Sequence, residues 1–345
     1  MFKKALFLAA AVVTLGLLSC QNRSNGAENI FFQSAFMMDT LIEIKVVSAD
    51  RDEAQQAVKA ALSRMEQIDR DMNRYNSKSL LSRINQQAGQ TPLIIPPDLF
   101  AVLTHGKEWG DITQGAFDIT TGAITRLWDF PGRNKPDNQT VQTNLSKVNY
   151  QLLQLDERNF SAFLPQTGMD LDLGGIAKGY AVDEAVRVLK EHGITQALVD
   201  AGGNMRALGG KDDDFPWKIG IQHPRQPKDL IGTIPLKDQA VSTSGDYERY
   251  FIQNGIRYHH IFDPQSGQPA RGLISVTVIS DTAETADILS TAVFVLGLKR
   301  GMNLVNSRPH TDALLITPDG KIITTPGFPL NGLDSKIAIF EHGEK

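Results

Sequence analysis

"MDLDLGGIAKGYAVDEAV", residues Met169–Val186, places a glycine-rich turn directly before a helix whose apolar residues recur at helical spacing. Glycines let backbone N–H groups approach an anion closely, and the N-terminus of a helix favours negative charge. The segment is not a P-loop, because Lys178 is followed by Gly179 where that motif needs Ser or Thr. Two interpretations stay open: an anion site near Lys178 and Gly179, or a tight turn in which glycine supplies a positive φ.

The start of the chain has the parts of a bacterial export signal. Lys3 and Lys4 precede an apolar run, Ala5–Leu18, which is short for a membrane span and ends in "LLSC". This ending resembles a lipobox, whose cysteine is acylated; an ordinary cleaved signal is the alternative. We predict three segments: a signal peptide over 1–19, a lipidated Cys20 with a polar tether over 20–30, and one domain over 31–345. The expected location is a bacterial membrane, facing the periplasm.

The composition of the chain narrows the class of protein. Cys20 is the only cysteine, so the exported domain has no disulfide and must be stabilised by its core. The formal charge of −4 becomes −6 when Lys3 and Lys4 leave with the signal, which gives no indication of a nucleic-acid partner. The seven histidines show no spacing typical of a zinc site.

Helix-like and strand-like segments alternate irregularly, which predicts an α+β fold in one compact domain of mixed sheets and helices. The apolar spacing predicts helices over Asp52–Met72, Asp98–Thr113, Gly179–His192 (ended by Gly193) and Ala283–Leu296 (ended by Gly297). In the first of these, one face carries Val58, Ala61, Leu62, Met65, Ile68 and Met72. Strands are predicted over Thr40–Val47, Gln151–Leu155 and Phe160–Leu164 (a hairpin), Gln196–Asp200, Lys218–Gln222, Ser275–Ser280, Ala313–Thr317 and Lys336–Phe340.

Two oxygen ligands share one face of the helix that contains "AETADILSTA". Asp287 and Thr291 are four residues apart, which places them one above the other. A carboxylate and a hydroxyl suit Mg²⁺, which often bridges to a substrate phosphate. A surface Thr–Asp pair on an ordinary helix explains the same spacing.

Several further segments carry polar or aromatic residues at strand and helix ends. "AGGNMRALGG" and "STSGDYERYF" are glycine-containing turns that suit either phosphate or simple chain reversal. "RYHHIFDPQSGQP" holds His259 and His260, of which one faces each side of a strand, and either a catalytic base or a structural histidine fits. Tyr75 and the aromatic residues of "GAFDITTG" could stack on a flat ring or close the core.

In this order, the segments resemble the FAD:protein FMN transferases, the ApbE-type periplasmic flavin transferases. The resemblance runs from about Met38 to Gly297 and rests on seven colinear segments: "RYNSKSLLSRIN", "GAFDITTG", "DLGGIAKGYAVD", "AGGNM", "STSGDYERY", "HHIFDPQSGQP" and "TADILSTAVFVLG". It implies an ApbE-like, T-fold-related α+β structure and a Mg²⁺-dependent reaction. FAD is the substrate, and FMN is attached through a phosphoester to a threonine of an acceptor protein, with release of AMP.

The resemblance also implies roles for individual residues. His260 is the base that accepts the threonine proton, and the Mg²⁺ ligands are the Ala177 carbonyl, the Asp287 carboxylate and the Thr291 hydroxyl. FAD contacts are implied at Met38, Tyr75, Ala116, Phe117, Asp118, Gly174, Tyr180 and Ile261, and Lys178 joins them as the cation of the glycine-rich turn. The chain departs from the family at Asp39, where the family usually has glycine in Met-Gly-Thr.

The partners implied are FAD, an acceptor protein such as a redox-pump subunit of the inner membrane, and the membrane itself through the lipid anchor. The chain lacks the short Asp/Ser-Gly-Ala/Ser-Thr type of sequence that the family modifies, so it resembles the transferring enzyme and not the flavin-carrying subunit. Two other functions stay open: an FAD pyrophosphatase that produces FMN and AMP, and an FAD-binding lipoprotein without catalysis.

Overall fold

The computed structural model of the protein describes residues 29–332. The helices are α1 Arg51–Met72, α2 Leu80–Gln86, α3 Pro97–Ile112, α4 Gly122–Thr125, α5 Asn138–Leu145, α6 Ala177–Glu191 and α7 Ala283–Asn306, with a 3-10 turn at Tyr150–Leu152. The strands are β1 Asn29–Met37, β2 Thr40–Ser48, β3 Leu93–Ile94, β4 Gln154–Asp156, β5 Ser161–Phe163, β6 Ala197–Ala201, β7 Asn204–Leu208, β8 Trp217–Gln222, β9 Leu230–Leu236, β10 Ala240–Gly245, β11 Tyr250–Gln253, β12 Ile256–His259, β13 Phe262–Asp263, β14 Gln268–Pro269, β15 Ser275–Ser280, β16 Asp312–Ile316 and β17 Ile322–Thr324.

An eight-stranded antiparallel sheet forms the centre of the fold, in the order β1-β2-β6-β7-β10-β15-β16-β17. Helices α1, α6 and α7 contact the sheet, and α6 contacts both α1 and α7. The β8–β9 hairpin packs through Trp217, Ile219 and Ile234 with residues of the sheet in a second core cluster. The predicted α+β fold in one mixed domain is therefore confirmed.

Helix α1 forms for the reasons that its sequence indicates. Asp50 caps its N-terminus, because the carboxylate accepts hydrogen bonds from the N–H groups of Asp52 and Glu53. The six apolar residues of the predicted face are all buried. Since these side chains lie in the largest core cluster, α1 is held by packing and not by helix propensity alone.

The glycines of the opening segment serve close packing. Gly174, Gly175 and Gly179 have no positive φ, so the prediction of a turn that needs glycine for that reason is wrong. A Cβ on Gly179 would lie 2.6 Å from the Cα of Glu284, and one on Gly175 would lie 3.0 Å from the Thr291 hydroxyl. Helix α6 and the loop before it therefore approach α7 more closely than any side chain allows.

Most predicted elements are found, with small differences at their ends. The predicted end at Gly297 is a break (φ 73, ψ −177), after which a second helical segment continues to Asn306. Strand β1 begins at Asn29, two residues inside the predicted tether. The predicted hairpin across residues 156–159 has shorter strands than expected, and Tyr150–Leu152 before it is a 3-10 turn. The predicted strand Lys336–Phe340, the signal peptide and Cys20 lie outside the described residues.

Among residues 29–332, α7 is the one helix long and apolar enough to cross a membrane. It contacts β10, β15 and α6 and breaks at Gly297, as a core helix of this fold does.

Candidate active site

Two hairpin turns meet at one end of the central sheet. Met38 and Asp39 connect β1 to β2 with φ of 53° and 58°, and Gly202 and Gly203 connect β6 to β7 with φ of 61° and 92°. Positive φ at both central residues is the type I′ pattern of a tight hairpin. A Cβ on Gly202 would lie 3.0 Å from the Cβ of Thr40, so the turns are in contact. Asp39 thus adopts the left-handed conformation without glycine, as Asp does more readily than most residues.

The glycine-rich loop before α6 is tied to two other segments through Asp172. One carboxylate oxygen accepts the N–H of Gly174 at 3.0 Å. The other accepts hydrogen bonds from Thr125 at 2.8 Å and from the Arg74 guanidinium. Desolvation opposes ionisation of Asp172, but Arg74 holds its pKa below the ordinary value. Because Arg74 precedes Tyr75, this ion pair connects the loop to the segment predicted to contact the flavin.

Asp287 is buried beside the start of α6, with 3% of its surface exposed. Its Oδ2 accepts the N–H of Gly179 at 3.0 Å. Desolvation raises the pKa of Asp287, and nearby Lys178 opposes the rise. The alternative of an ordinary surface pair at Asp287 and Thr291 is therefore wrong, because the helix turns Asp287 inward against the glycine-rich loop.

The residues predicted to bind Mg²⁺ fit a hard cation. Thr291 lies one turn after Asp287, with Gly175 against it, and Ala177 is the buried first residue of α6. Within the described range, no three His, Cys, Asp or Glu residues cluster to hold a metal. The predicted ligands differ from such a cluster, because only Asp287 is of these types and the other two ligands are a backbone carbonyl and a hydroxyl. A buried carboxylate that has no ion pair within 29–332 is a group that a bound cation would neutralise.

A chain of hydroxyl groups supports Thr291 from the sheet. Ser244 Oγ lies 3.4 Å from Thr291 Oγ1 and 2.9 Å from Ser290 Oγ. Ser290 is in turn 3.2 Å from Ser242, which donates to the side chain of Asn204. Sequence reasoning missed these supporting residues, although "AGGNM", "STSG" and "TADILSTA" contain them. The chain fixes the Thr291 hydroxyl through three elements, β7, β10 and α7.

The adjacent histidines lie in different environments. His259 is 2% exposed; its Nε2 lies 2.9 Å from the Ala270 carbonyl, and its Nδ1 accepts the N–H of Ile261 at 3.3 Å. His260 Nδ1 is buried and has no hydrogen-bond partner among the described residues. Desolvation, His259, Lys178 and Arg249 lower the pKa of His260 to about 3, below the ordinary value expected for a base. His260 is therefore neutral at physiological pH and free to accept a proton.

Arg249 joins the remaining predicted contacts. Its carbonyl accepts the N–H of His260 at 3.1 Å, and its guanidinium lies 3.5 Å from Asp39 and 6.0 Å from the centre of the Tyr75 ring. Tyr75 is 69% exposed, so most of its ring is open to solvent, and Arg249 links it to the turn that holds Met38 and Asp39. This placement suits stacking on a flat ring.

Other residues predicted to contact FAD are buried or already form hydrogen bonds within the protein. The Asp118 carboxylate accepts hydrogen bonds from Thr120 and from the N–H of Tyr150, and the Tyr180 hydroxyl donates to Asp98 at 3.0 Å. Ala116, Phe117 and Ile261 are buried, and Lys178 Nζ donates to the Gly174 carbonyl at 2.9 Å. The structure thus brings the glycine-rich loop, the predicted metal ligands and Lys178 together, while the side chains of Asp118 and Tyr180 are bound to other groups of the protein.

The site combines a glycine-rich loop, a lysine, two oxygen ligands and a neutral histidine, the parts that phosphoryl transfer requires. Comparison with known proteins agrees with this chemistry. The model of the ApbE family matches residues 38–315. The chain is 36% identical over 298 residues to an FAD:protein FMN transferase of Klebsiella pneumoniae, covering 85% of this chain and 91% of the relative.

Two further similarities extend over most of the chain. A Treponema pallidum FAD:protein FMN transferase is 32% identical over 335 residues, which covers 91% of each chain. The crystal structure of the ApbE protein of Thermotoga maritima superimposes with a TM-score of 0.80 at 34% identity, covering 85% of this chain and 96% of the other.

Proposed function

This chain belongs to the ApbE family, and on that premise we propose that it is a Mg²⁺-dependent FAD:protein FMN transferase. It attaches FMN to a threonine of an acceptor protein and releases AMP. The observation that supports the proposal most strongly is the junction of α6 and α7, where Asp287 binds the Gly179 N–H and Thr291 packs against Gly175. A carboxylate, a hydroxyl and a glycine loop at one point suit a diphosphate with its cation.

In the proposed reaction, the threonine oxygen attacks the phosphorus on the FMN side of the FAD diphosphate. The bond from that phosphorus to the bridging oxygen breaks, and AMP leaves with the oxygen. His260 accepts the hydroxyl proton, and Lys178 stabilises negative charge on the diphosphate. Bound Mg²⁺ supplies Lewis-acid neutralisation of that charge and would be held by Ala177, Asp287 and Thr291.

The low pKa of His260 fits this role once substrate is considered. In the free protein, burial and neighbouring charges hold the pKa of His260 at about 3, so the imidazole is neutral and one ring nitrogen has a lone pair that can accept a proton. A diphosphate placed beside Lys178 adds negative charge, which favours the imidazolium, and bound Mg²⁺ would offset part of that charge. FAD binding therefore raises the pKa of His260 by the negative charge that the cation leaves unneutralised.

A direct test is intact-mass analysis of an acceptor after incubation with the protein, FAD and Mg²⁺. We expect the acceptor, such as a purified redox-pump subunit, to gain one FMN, and we expect peptide mapping to place it on threonine. Release of free FMN and AMP with an unmodified acceptor would instead establish the pyrophosphatase. Bound FAD that stays intact would establish the carrier.

We further propose that acylated Cys20 anchors the protein to a membrane facing the periplasm. The support is a lone cysteine at the end of an apolar run that is followed by a polar segment. A Cys20→Ser variant should lose lipid labelling and leave the membrane fraction. Labelling and fractionation like the wild type would contradict the anchor.

A further inference from the structure

A polar cavity of about 210 Å³ lies beside the β11–β12 hairpin. Its lining includes His223 and Arg225 from the loop after β8, and Glu248, Tyr250 and Arg257 from the hairpin and the turn before it. None of these residues is one to which the family resemblance gives a flavin or Mg²⁺ contact. The volume is below the roughly 300–1,000 Å³ of small-molecule sites, so it suits one or two side chains and not a dinucleotide.

Two arginines and two acidic residues lie at the cavity, and they do not pair one to one. Asp246 accepts a bidentate pair of hydrogen bonds from Arg225 at 2.6 Å and 2.8 Å. Arg257 lies farther away, with its Nε 3.9 Å from the same carboxylate and Nη1 3.4 Å from the Asp246 carbonyl. Two guanidinium groups thus face the Asp246 carboxylate, and only Arg225 binds it in a bidentate pair. Glu248, the acidic residue of the lining, has its pKa raised by desolvation, which favours its neutral form.

Arg257 and His223 are the donors left for a ligand. The Arg257 guanidinium stacks 3.7 Å from the centre of the Tyr250 ring, which fixes its plane. His223 Nδ1 accepts the N–H groups of Arg225 and Gln226, so the ring proton of neutral His223 is on Nε2. A fixed guanidinium with a nearby N–H donor is a site for a carboxylate.

The same hairpin leads from the cavity to the proposed base. Tyr250 is the register partner of His259, and the carbonyl of Arg249 accepts the N–H of His260. Glu248 of the cavity lining also senses the start of α6, because desolvation raises its pKa and Lys178 opposes that rise. The cavity is thus connected to His260 through the backbone of the hairpin and the turn before it.

The outer face of the hairpin is apolar. Tyr250 is 41% exposed and Ile252 is 57% exposed. In the antiparallel register Ile252 lies opposite Arg257, so these three side chains share one face. The face offers a protein partner apolar contact beside the cationic cavity.

We propose that this cavity docks the acceptor protein by binding a carboxylate side chain from the segment that presents the threonine. Arg257 is the principal donor, and Tyr250 and Ile252 contact the flanking residues. The inference rests on the proposed function, because that function supplies the acceptor. It assigns the cavity to the second substrate and leaves FAD to the loop before α6.

The test compares Arg257→Gln with a matched control, Lys228→Gln, which removes an exposed cation of the same loop region that does not line the cavity. Steady-state FMN transfer is measured against the acceptor that the wild type modifies, at saturating FAD and Mg²⁺. We expect KM for the acceptor to rise about tenfold or more in Arg257→Gln, the scale of a lost charge-assisted hydrogen bond, with kcat changed less than twofold. The control should stay within twofold of wild type.

A double-mutant cycle identifies the ligand group. Each Asp or Glu near the modified threonine of the acceptor is replaced by its amide, and one replacement should raise KM by a similar factor. In the Arg257→Gln background, that same replacement should have little further effect. Arg257→Lys keeps the charge but not the planar fork, so it should give an intermediate KM; it also carries the test if Arg257→Gln does not fold.

Three results would overturn the inference. An unchanged acceptor KM in Arg257→Gln and Arg257→Lys would show that the cavity does not bind the acceptor. A weaker FAD affinity by flavin fluorescence would assign the cavity to FAD, and binding of inorganic phosphate with no effect on transfer would assign it to a small anion. If the wild type itself transfers no FMN, the proposed function fails and this inference fails with it, which the wild-type reaction alone reveals.

Discussion

At the scale of single residues, His259 and His260 show how neighbours in sequence divide between structure and chemistry. His259 is fixed by two hydrogen bonds and packs edge-on against Phe294, with ring centres 5.4 Å apart. His260 has a buried ring nitrogen without a partner among residues 29–332. Strand alternation predicted that the two histidines face opposite sides of a strand. The resemblance, and not the alternation, predicted that His260 is the base.

We expect His260→Ala to lower FMN transfer by roughly a hundredfold to ten-thousandfold, the scale of a lost general base. FAD affinity should stay near the wild-type value, because the glycine loop and the metal ligands hold the diphosphate. His259→Ala should keep most of its transfer rate and lose stability instead, by about 1–3 kcal/mol, since the Ala270 carbonyl loses its partner. Flavin fluorescence measures FAD affinity, acceptor mass measures FMN transfer, and thermal melts measure stability. An inactive His259→Ala with an active His260→Ala would reverse the assignment.

The pH dependence of kcat/KM for FAD is a second residue-scale prediction. His260 has a pKa of about 3 in the free protein, lowered mainly by desolvation, so it stays unprotonated as pH falls from 8 to 5. Because kcat/KM reports groups of the free enzyme, no acid limb should arise from this histidine near 6.5. The test measures kcat/KM for FAD between pH 5 and 8 in the wild type and in His260→Ala. An acid limb near pH 6.5 in the wild type that disappears in His260→Ala would contradict the lowered pKa.

Asp287→Asn separates metal binding from folding. The pKa of Asp287 is raised by desolvation, so its ionised form weakens the metal-free fold above that pKa, and the neutral amide should raise the metal-free Tm at pH 8 by roughly 2–4 °C. Mg²⁺ should raise the Tm of the wild type and not that of the variant. Asp183→Asn is the control, because Asp183 is partly buried on the same helix pair but caps α7 and pairs with Arg206. A Mg²⁺ shift that survives in Asp287→Asn and disappears in the control would place the metal elsewhere.

At the scale of elements, the contact between α6 and α7 determines the site. Gly179→Ala places a methyl group against the backbone of Ala283 and Glu284, which cannot rotate away. We expect a loss of about 1–3 kcal/mol in stability and a loss of the Mg²⁺-induced rise in Tm, because α6 must move away from Asp287. Gly174→Ala is the control, since its Cβ would meet only the Asp172 side chain, at 3.2 Å. Equal Tm values for the two variants would contradict this account of the glycine.

Elements with strong periodicity could be predicted, and short ones could not. Helix α1 and strand β15 match their predictions because each has a long buried pattern. Strands β13 and β14 have two residues each, too few for any alternation to be seen. Strand β1 was missed because its edge position leaves Ile30, Phe32 and Phe36 exposed, so apolar residues there do not mark a buried face.

At the scale of the whole molecule, the antiparallel sheet brings distant segments together. The start of α6 and helix α7 meet although 108 residues separate Gly179 from Asp287, and the turn after β1 contacts the distant β6–β7 turn. Spacing along the chain could suggest the Asp287–Thr291 pair, but not that Gly179 would bind Asp287, because that contact depends on how two helices pack. The order of the motifs along the chain, through the family resemblance, predicted which residues share the site, and local patterns could not.

The most direct measurement of the central claim is the ratio of AMP released to FMN attached to the acceptor in a single reaction with FAD and Mg²⁺. FMN transfer predicts one AMP for each modified acceptor, little free FMN, and loss of both products in Asp287→Asn. AMP accompanied by an equal amount of free FMN, with an unmodified acceptor, would contradict the claim and establish hydrolysis in its place.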